Sequence, residues 1–232
     1  MEQRIVIKIG SSSLASPEGG LIRERVRFLA AEIESVLREG WQVLVVSSGA
    51  IAAGYRLLGY KTRPRLLHEK QAAAAVGQAL LMQAYEEAFA EYGRPVAQVL
   101  LTRPDFGDRL RARNALATLE VLLRQGAVPV INENDTVAVD EIRFGDNDAL
   151  SALTAALVKA DGLYVLTDTD GLYTADPRKH PDARRIDRVG AITDDLLRMA
   201  GGAGTAVGTG GMRSKIEAAR IAVAGGVPTF VG

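Results

Sequence analysis

Short apolar runs alternating with longer amphipathic stretches constrain this chain more than any other feature of its sequence. The runs cover residues 4–9, 41–46, 95–101, 127–131, 162–166 and 227–231. Each is the length of a buried strand, and most are too continuous in their apolar residues to have a wet face. Between them, helical patterning predicts helices over 21–39, 68–92, 111–125, 147–160, 193–199 and 212–224. Strand-then-helix alternation calls for a mainly parallel sheet with helices on both faces. One stretch breaks the rhythm: Thr136-Val137-Ala138-Val139-Asp140-Glu141-Ile142-Arg143-Phe144 alternates with period two, which predicts a β-hairpin inserted before the next helix. Neither an internal repeat nor a linker stands out, so residues 1–232 are expected to form one domain.

Four of the strand-like runs end in polar residues. Lys8-Ile9-Gly10 closes the first, Ser47-Ser48-Gly49 the second, Asn132-Glu133-Asn134-Asp135 the fourth and Thr167-Asp168 the fifth. In an open parallel sheet all carboxyl ends lie along one edge, where ligands bind, so these clusters would share one site. Polar turn residues are common after strands, and that bland account competes at each cluster taken singly.

The chemistry follows from two lysines. Gly208-Thr209-Gly210-Gly211-Met212-Arg213-Ser214-Lys215 combines glycines, which let backbone N–H groups approach an anion, with a lysine at the start of a helical pattern. There is no Gly-Lys-Ser/Thr triplet and no G-x-G-x-x-G, so the loop is neither a Walker A loop nor a dinucleotide fingerprint. The second lysine, Lys8, ends a buried strand pattern beside another glycine turn. Two lysines on one sheet edge suit phosphoryl transfer, where catalysis is mostly positioning and charge stabilisation. Gly145-Asp146-Asn147-Asp148 precedes a helix; N-capping accounts for one of its three polar residues but not for the set.

Composition excludes other classes. Formal net charge is zero, with 28 basic and 28 acidic residues, so the chain lacks the footprint of a nucleic-acid or anionic-membrane binder. No apolar run reaches transmembrane length. The absence of cysteine removes disulfides and thiolate chemistry and fits a cytoplasmic protein. With only His68 and His180, a histidine-based metal site or triad is not expected, and no metal-ligating residues are assigned.

The ordered segments VIKIGSS (6–12), SSGAIAAG (47–54), NENDTV (132–137), FGDND (144–148), TDTDGLYTADP (167–177) and TGGMRSK (209–215) resemble the amino-acid kinase family, in its glutamate-phosphorylating branch. That resemblance implies a three-layer α/β/α sandwich and transfer of phosphate from Mg²⁺-ATP to the side-chain carboxylate of L-glutamate. The product would be glutamyl 5-phosphate, the first intermediate of proline biosynthesis. It further implies feedback inhibition by L-proline and a homodimer or homotetramer. Carried onto this sequence, Lys8, Asp148 and Lys215 form the catalytic set, with Asp148 orienting both lysines. ATP would be held by Lys8, Thr167, Asp168, Thr209, Gly210, Gly211, Met212, Arg213, Ser214 and Lys215. Ser48, Asn134, Asp135 and Asn147 would hold glutamate, with Asp135 facing its α-ammonium. Ser214 stands where the family pattern leads one to expect threonine, which keeps the hydroxyl. Many members carry a further C-terminal PUA domain, which this sequence is expected to lack. Sibling kinases acting on N-acetylglutamate, aspartate, carbamate or a nucleoside monophosphate, and a non-catalytic amino-acid sensor, are the competing readings.

Overall fold

The computed structural model describes residues 3–138, 146–177, 179–200 and 211–232. In chain order the elements are β1 (Arg4–Ile9), α1 (Ser11–Leu14), α2 (Arg23–Arg38), β2 (Gln42–Ser47), α3 (Ala50–Gly54), a 3₁₀ turn (Tyr55–Leu58), α4 (Leu67–Ala90), β3 (Val96–Leu101), α5 (Arg103–Gly107), α6 (Arg109–Arg124), β4 (Val128–Glu133), α7 (Asp146–Leu157), β5 (Gly162–Val165), β6 (Leu172–Tyr173), β7 (Arg185–Ile186), α8 (Asp194–Met199), α9 (Met212–Ala224) and β8 (Thr229–Val231). Six strands form one parallel sheet in the order β3-β4-β2-β1-β5-β8. β1 lies in its middle, where the strand order reverses, which is where ligands of such sheets bind.

The side-chain period of two decides which face each strand residue meets. Ile5 and Ile9 of β1, with Val43 and Val45 of β2, pack against Val26 and Ile33 of α2 and Leu81, Tyr85 and Phe89 of α4. Val6, Leu44 and Val46 point the other way, onto Leu119 and Leu123 of α6, Leu150 and Ala152 of α7, and Ala218 and Ala222 of α9. The result is the three-layer α/β/α sandwich with a parallel central sheet. Helix starts follow local chemistry: the Asp108 carboxylate accepts from the N–H groups of Leu110 and Arg111 and opens α6. Among the described residues no helix is long and apolar enough to cross a membrane.

The sequence reading missed several local features, among them the end of β4, the later pair β6 and β7, and the short helices α1, α3 and α5. β4 runs on to Glu133, because Leu100 and Leu101 of β3 still pair with Asn132 and Glu133, so the first half of the NEND cluster is strand. The expected hairpin over 136–144 lies mostly outside the described residues; its beginning is a turn in which the Asn134 carbonyl accepts from the N–H groups of Val137 and Ala138. An antiparallel pair does occur later, between β6 and β7. Strands of two residues carry no readable period, which is why nothing marked them. They cover a small separate cluster of Leu172, Leu197, Ala200 and Ile216.

The alanine-rich start of α4 is explained by close packing, as its composition indicates. A Cβ on Gly77 would lie 1.8 Å from the carbonyl oxygen of Ala50, and one on Gly54 would lie 2.0 Å from that of Ala73. Backbones of α3 and α4 therefore touch, and any side chain would force them apart. Gly77→Ala is expected to destabilise the fold by roughly 3 kcal/mol, at the upper end of overpacking costs. Gly107→Ala, which would meet nothing within 4 Å, should stay within about 0.5 kcal/mol of the parent. Denaturant melts of the two variants make the comparison; equal midpoints would contradict the close-contact account.

Candidate active site

Lys8 follows Val6 by two residues, so its side chain leaves β1 on the face covered by α7 and α9. There the Asp148 carboxylate, from the first turn of α7, lies 2.6 Å from Lys8 Nζ through Oδ1. Its Oδ2 lies 3.5 Å from Nζ of Lys215, in the first turn of α9, and accepts the Ser214 hydroxyl at 2.6 Å. Lys8 is 6% exposed, Asp148 1% and Lys215 8%, so three ionisable groups share a nearly dry space. Burial alone would push the Asp148 carboxyl up; the charges of Lys8 and Lys215, with hydrogen bonds from Lys8 and Ser214, outweigh it and hold the group below its ordinary value. Burial pushes the Lys215 ammonium down, Asp148 opposes that, and the like charge of Lys8 adds to it. Two ammoniums face this one carboxylate, and Asp168 adds a second negative charge near Lys215. The N-cap of α9 is Gly211, which places Ser214 and Lys215 in the first turn of that helix.

A second polar group lies along the same edge. β2 ends at Ser47, and the chain turns at Gly49 with φ of 113°, a left-handed conformation suited to glycine, before entering α3. Asn147 Nδ2 donates to Ser48 Oγ at 2.8 Å and to Asn132 Oδ1 at 3.0 Å, joining the ends of β2 and β4 to the start of α7. Asn132 is 2% exposed and donates through Nδ2 to Gln78 Oε1 of α4 at 2.8 Å.

Lys8, Asp148, Ser214 and Lys215 thus meet directly, and Ser48 and Asn147 meet beside them. Asp168 is close enough to Lys215 for its charge to favour the ammonium, and Thr167 Oγ1 accepts from the Thr169 N–H at 3.1 Å. Asn134 and Asp135 sit in the turn after β4, where the Asp135 charge acts on Arg63. Met212 packs with the small apolar cluster under β6 and β7. Arg213 bonds Glu217 one turn along α9, away from the trio. Thr209 and Gly210 lie outside the described residues. Sequence reasoning assigned no role to Gln78 or Arg63: Gln78 is one polar residue of a long helix, and Arg63 stands among other basic residues in its loop. No local pattern marked either.

A model of the Amino acid kinase family matches residues 3–232. The chain is 54% identical over 231 residues to glutamate 5-kinase 1 of Bacillus licheniformis, covering 100% of this chain and 63% of that protein. It is 56% identical over 229 residues to glutamate 5-kinase of Geobacter metallireducens, covering 99% and 61%. The chain therefore spans a little over three fifths of the length of these curated relatives. Among solved structures, carbamate kinase from Giardia lamblia bound to AMP-PNP matches with a TM-score of 0.64 at 16% identity, over 99% of this chain and 92% of that one. At that identity the likeness concerns the fold, which is the same parallel α/β/α arrangement. With a family model running through nearly every residue and relatives at more than half identity, the chain belongs to the amino acid kinase family.

Proposed function

We propose that this chain phosphorylates the side-chain carboxylate of L-glutamate with ATP, giving glutamyl 5-phosphate as the first step of proline biosynthesis. The observation that carries the reading is the buried Lys8–Asp148–Lys215 trio on the strand-end edge, two ammoniums gathered around one carboxylate. The names of the relatives supply the substrate. A triphosphate fits a site with two ammoniums and a glycine-capped helix start. Among the described residues no group of three or more metal-ligating side chains occurs, so Mg²⁺ would be carried by the nucleotide's phosphates rather than by a protein cage.

The chemistry needs no general base. A glutamate side chain with pKa about 4.3 is already ionised at neutral pH. One carboxylate oxygen attacks the γ-phosphorus; a new O–P bond forms, and the bond to the bridging oxygen breaks with its electron pair leaving on ADP. Lys8 and Lys215 offset the repulsion between carboxylate and triphosphate and stabilise charge on the moving group. Asp148, itself held by the Ser214 hydroxyl, keeps the lysines in place. Thr167, Asp168 and the 209–215 segment would line the nucleotide, while Ser48, Asn134, Asp135 and Asn147 would hold glutamate, Asp135 against the α-ammonium.

Lys215→Met, which keeps the aliphatic stem and removes the charge, should lower kcat by about 10²-fold, comparable to losing an oxyanion donor. Lys8 still faces Asp148 in that variant, so its thermal unfolding should change little. Asp148→Asn should lower kcat similarly and also cost roughly 3 kcal/mol of stability, since it strands buried lysines. Steady-state kinetics beside thermal melts check both; a folded Lys215→Met protein with parental turnover would remove the phosphate role.

Substrate class is read from the product. L-glutamate with ATP should yield an acyl phosphate that hydroxylamine traps as a hydroxamate, and N-acetylglutamate should react slower by up to about 10⁴-fold in kcat/KM, because its amine no longer bears a charge for Asp135. Equal rates with the two substrates, or turnover without hydroxamate, would overturn the assignment. L-proline shares the ammonium and carboxylate of glutamate, so it is expected to inhibit less as glutamate rises. A titration to millimolar proline without effect would dismiss that regulation while leaving the kinase reading intact.

A further inference from the structure

A directed chain of amide side chains runs from the edge strand β3 into the candidate substrate site. Gln78 Nε2 donates to Gln98 Oε1 at 3.0 Å, Asn132 Nδ2 to Gln78 Oε1 at 2.8 Å, and Asn147 Nδ2 to Asn132 Oδ1 at 3.0 Å. The sense of this chain is set by a group that cannot be reversed. The backbone N–H of Glu133 donates to Asn132 Oδ1 at 2.8 Å, and a backbone N–H can only donate. Asn132 must therefore keep its oxygen toward Glu133 and Asn147 and its NH₂ toward Gln78. Asn147 in turn must offer its NH₂ to Asn132 and to Ser48 Oγ. Its oxygen is left over: Asn147 Oδ1 is buried and has no hydrogen-bond partner among the described residues. Ser48 Oγ, having accepted from Asn147, keeps its own proton to donate. An acceptor thus stands beside a donor, complementary to an ammonium and a carboxylate on one carbon.

We propose that Gln78 is a positioning residue that acts through Asn132 to fix Asn147 with its oxygen toward the α-ammonium of the substrate, and so helps select a free α-amino acid. The proposal rests on L-glutamate being the substrate. The Glu133 N–H fixes the sense of Asn132, since an NH₂ placed there would meet another donor. Gln78 Oε1 accepts from the Asn132 NH₂ and holds that amide in place from the other side. Gln78 can itself turn over, because its further partner is the amide of Gln98, so it follows the sense of Asn132 and fixes its position rather than its direction. Without Gln78 the Asn132 NH₂ loses this acceptor, and the amide that positions Asn147 is held from one side only.

The test compares Gln78→Met, which removes the acceptor, with Gln78→Glu, which keeps it. Each is assayed with L-glutamate and ATP, with glutarate, the same diacid without the amine, as competitive inhibitor. In Gln78→Met the KM for glutamate should rise about tenfold, as for one lost hydrogen bond to a charged group. Saturated kcat, KM for ATP and Ki for glutarate should stay within about twofold. Gln78→Glu should restore the glutamate KM to within about threefold of the parent. A Gln78→Met enzyme with parental KM for glutamate overturns the proposal, and so does one that loses glutamate and glutarate equally. A parent protein inert toward L-glutamate overturns the substrate assignment itself, and this proposal with it, before any variant is compared.

Discussion

The Asp148 carboxylate is what allows two lysines to be buried against one sheet. Taking an ammonium out of water costs several kcal/mol, and that cost is offset only by close opposite charge and good geometry. Asp148 supplies both to Lys8 at 2.6 Å and to Lys215 at 3.5 Å, with the Ser214 hydroxyl on the same oxygen as Lys215. Three elements far apart in sequence, β1, α7 and α9, are tied at this point.

The remaining structure serves that point by holding its surroundings rigid. Fully buried residues of β2, Val43 to Val46, leave that strand no wet face and pack it between the two helix layers. Close contact of α3 with α4 at Gly54 and Gly77 fixes the helix that follows the Ser48–Gly49 turn. From α4, Gln78 reaches Asn132 at the end of β4, and Asn132 reaches Asn147, the residue before Asp148. Helix packing and polar network are therefore parts of one frame. A displacement in α4 would be felt two hydrogen bonds away, next to the buried carboxylate.

Much of this was legible in the sequence. The strand-like runs fell where strands form, offset by one or two residues at their ends, because a continuous apolar run has few other ways to be buried. Lys8 and Lys215 were readable as a pair, because they stand at the end of a strand and the start of a helix, positions that a parallel sheet brings to one edge; Asp148 joined them through the family resemblance. The hydroxyl of Ser214 was noted, but not that it would donate to Asp148. Gln78 was beyond reach, since a glutamine on a helix gives no sign of which strand end it will meet. The same holds for Arg63, whose neighbour Asp135 is distant in the chain and adjacent only in space. The pair β6 and β7 was missed because two residues cannot show alternation.

By itself the sequence determined the layer order, the sheet edge on which polar residues collect, and the kinds of charge placed there, since these follow from periodicity and from where apolar runs stop. Tertiary structure alone decided that the three charged groups are buried, which oxygen of Asp148 meets which lysine, and which way the amides of Asn132 and Asn147 point. Those outcomes depend on distances between elements dozens of residues apart and on the direction of individual hydrogen bonds. No local pattern encodes them, because they exist only once the layers have closed on one another.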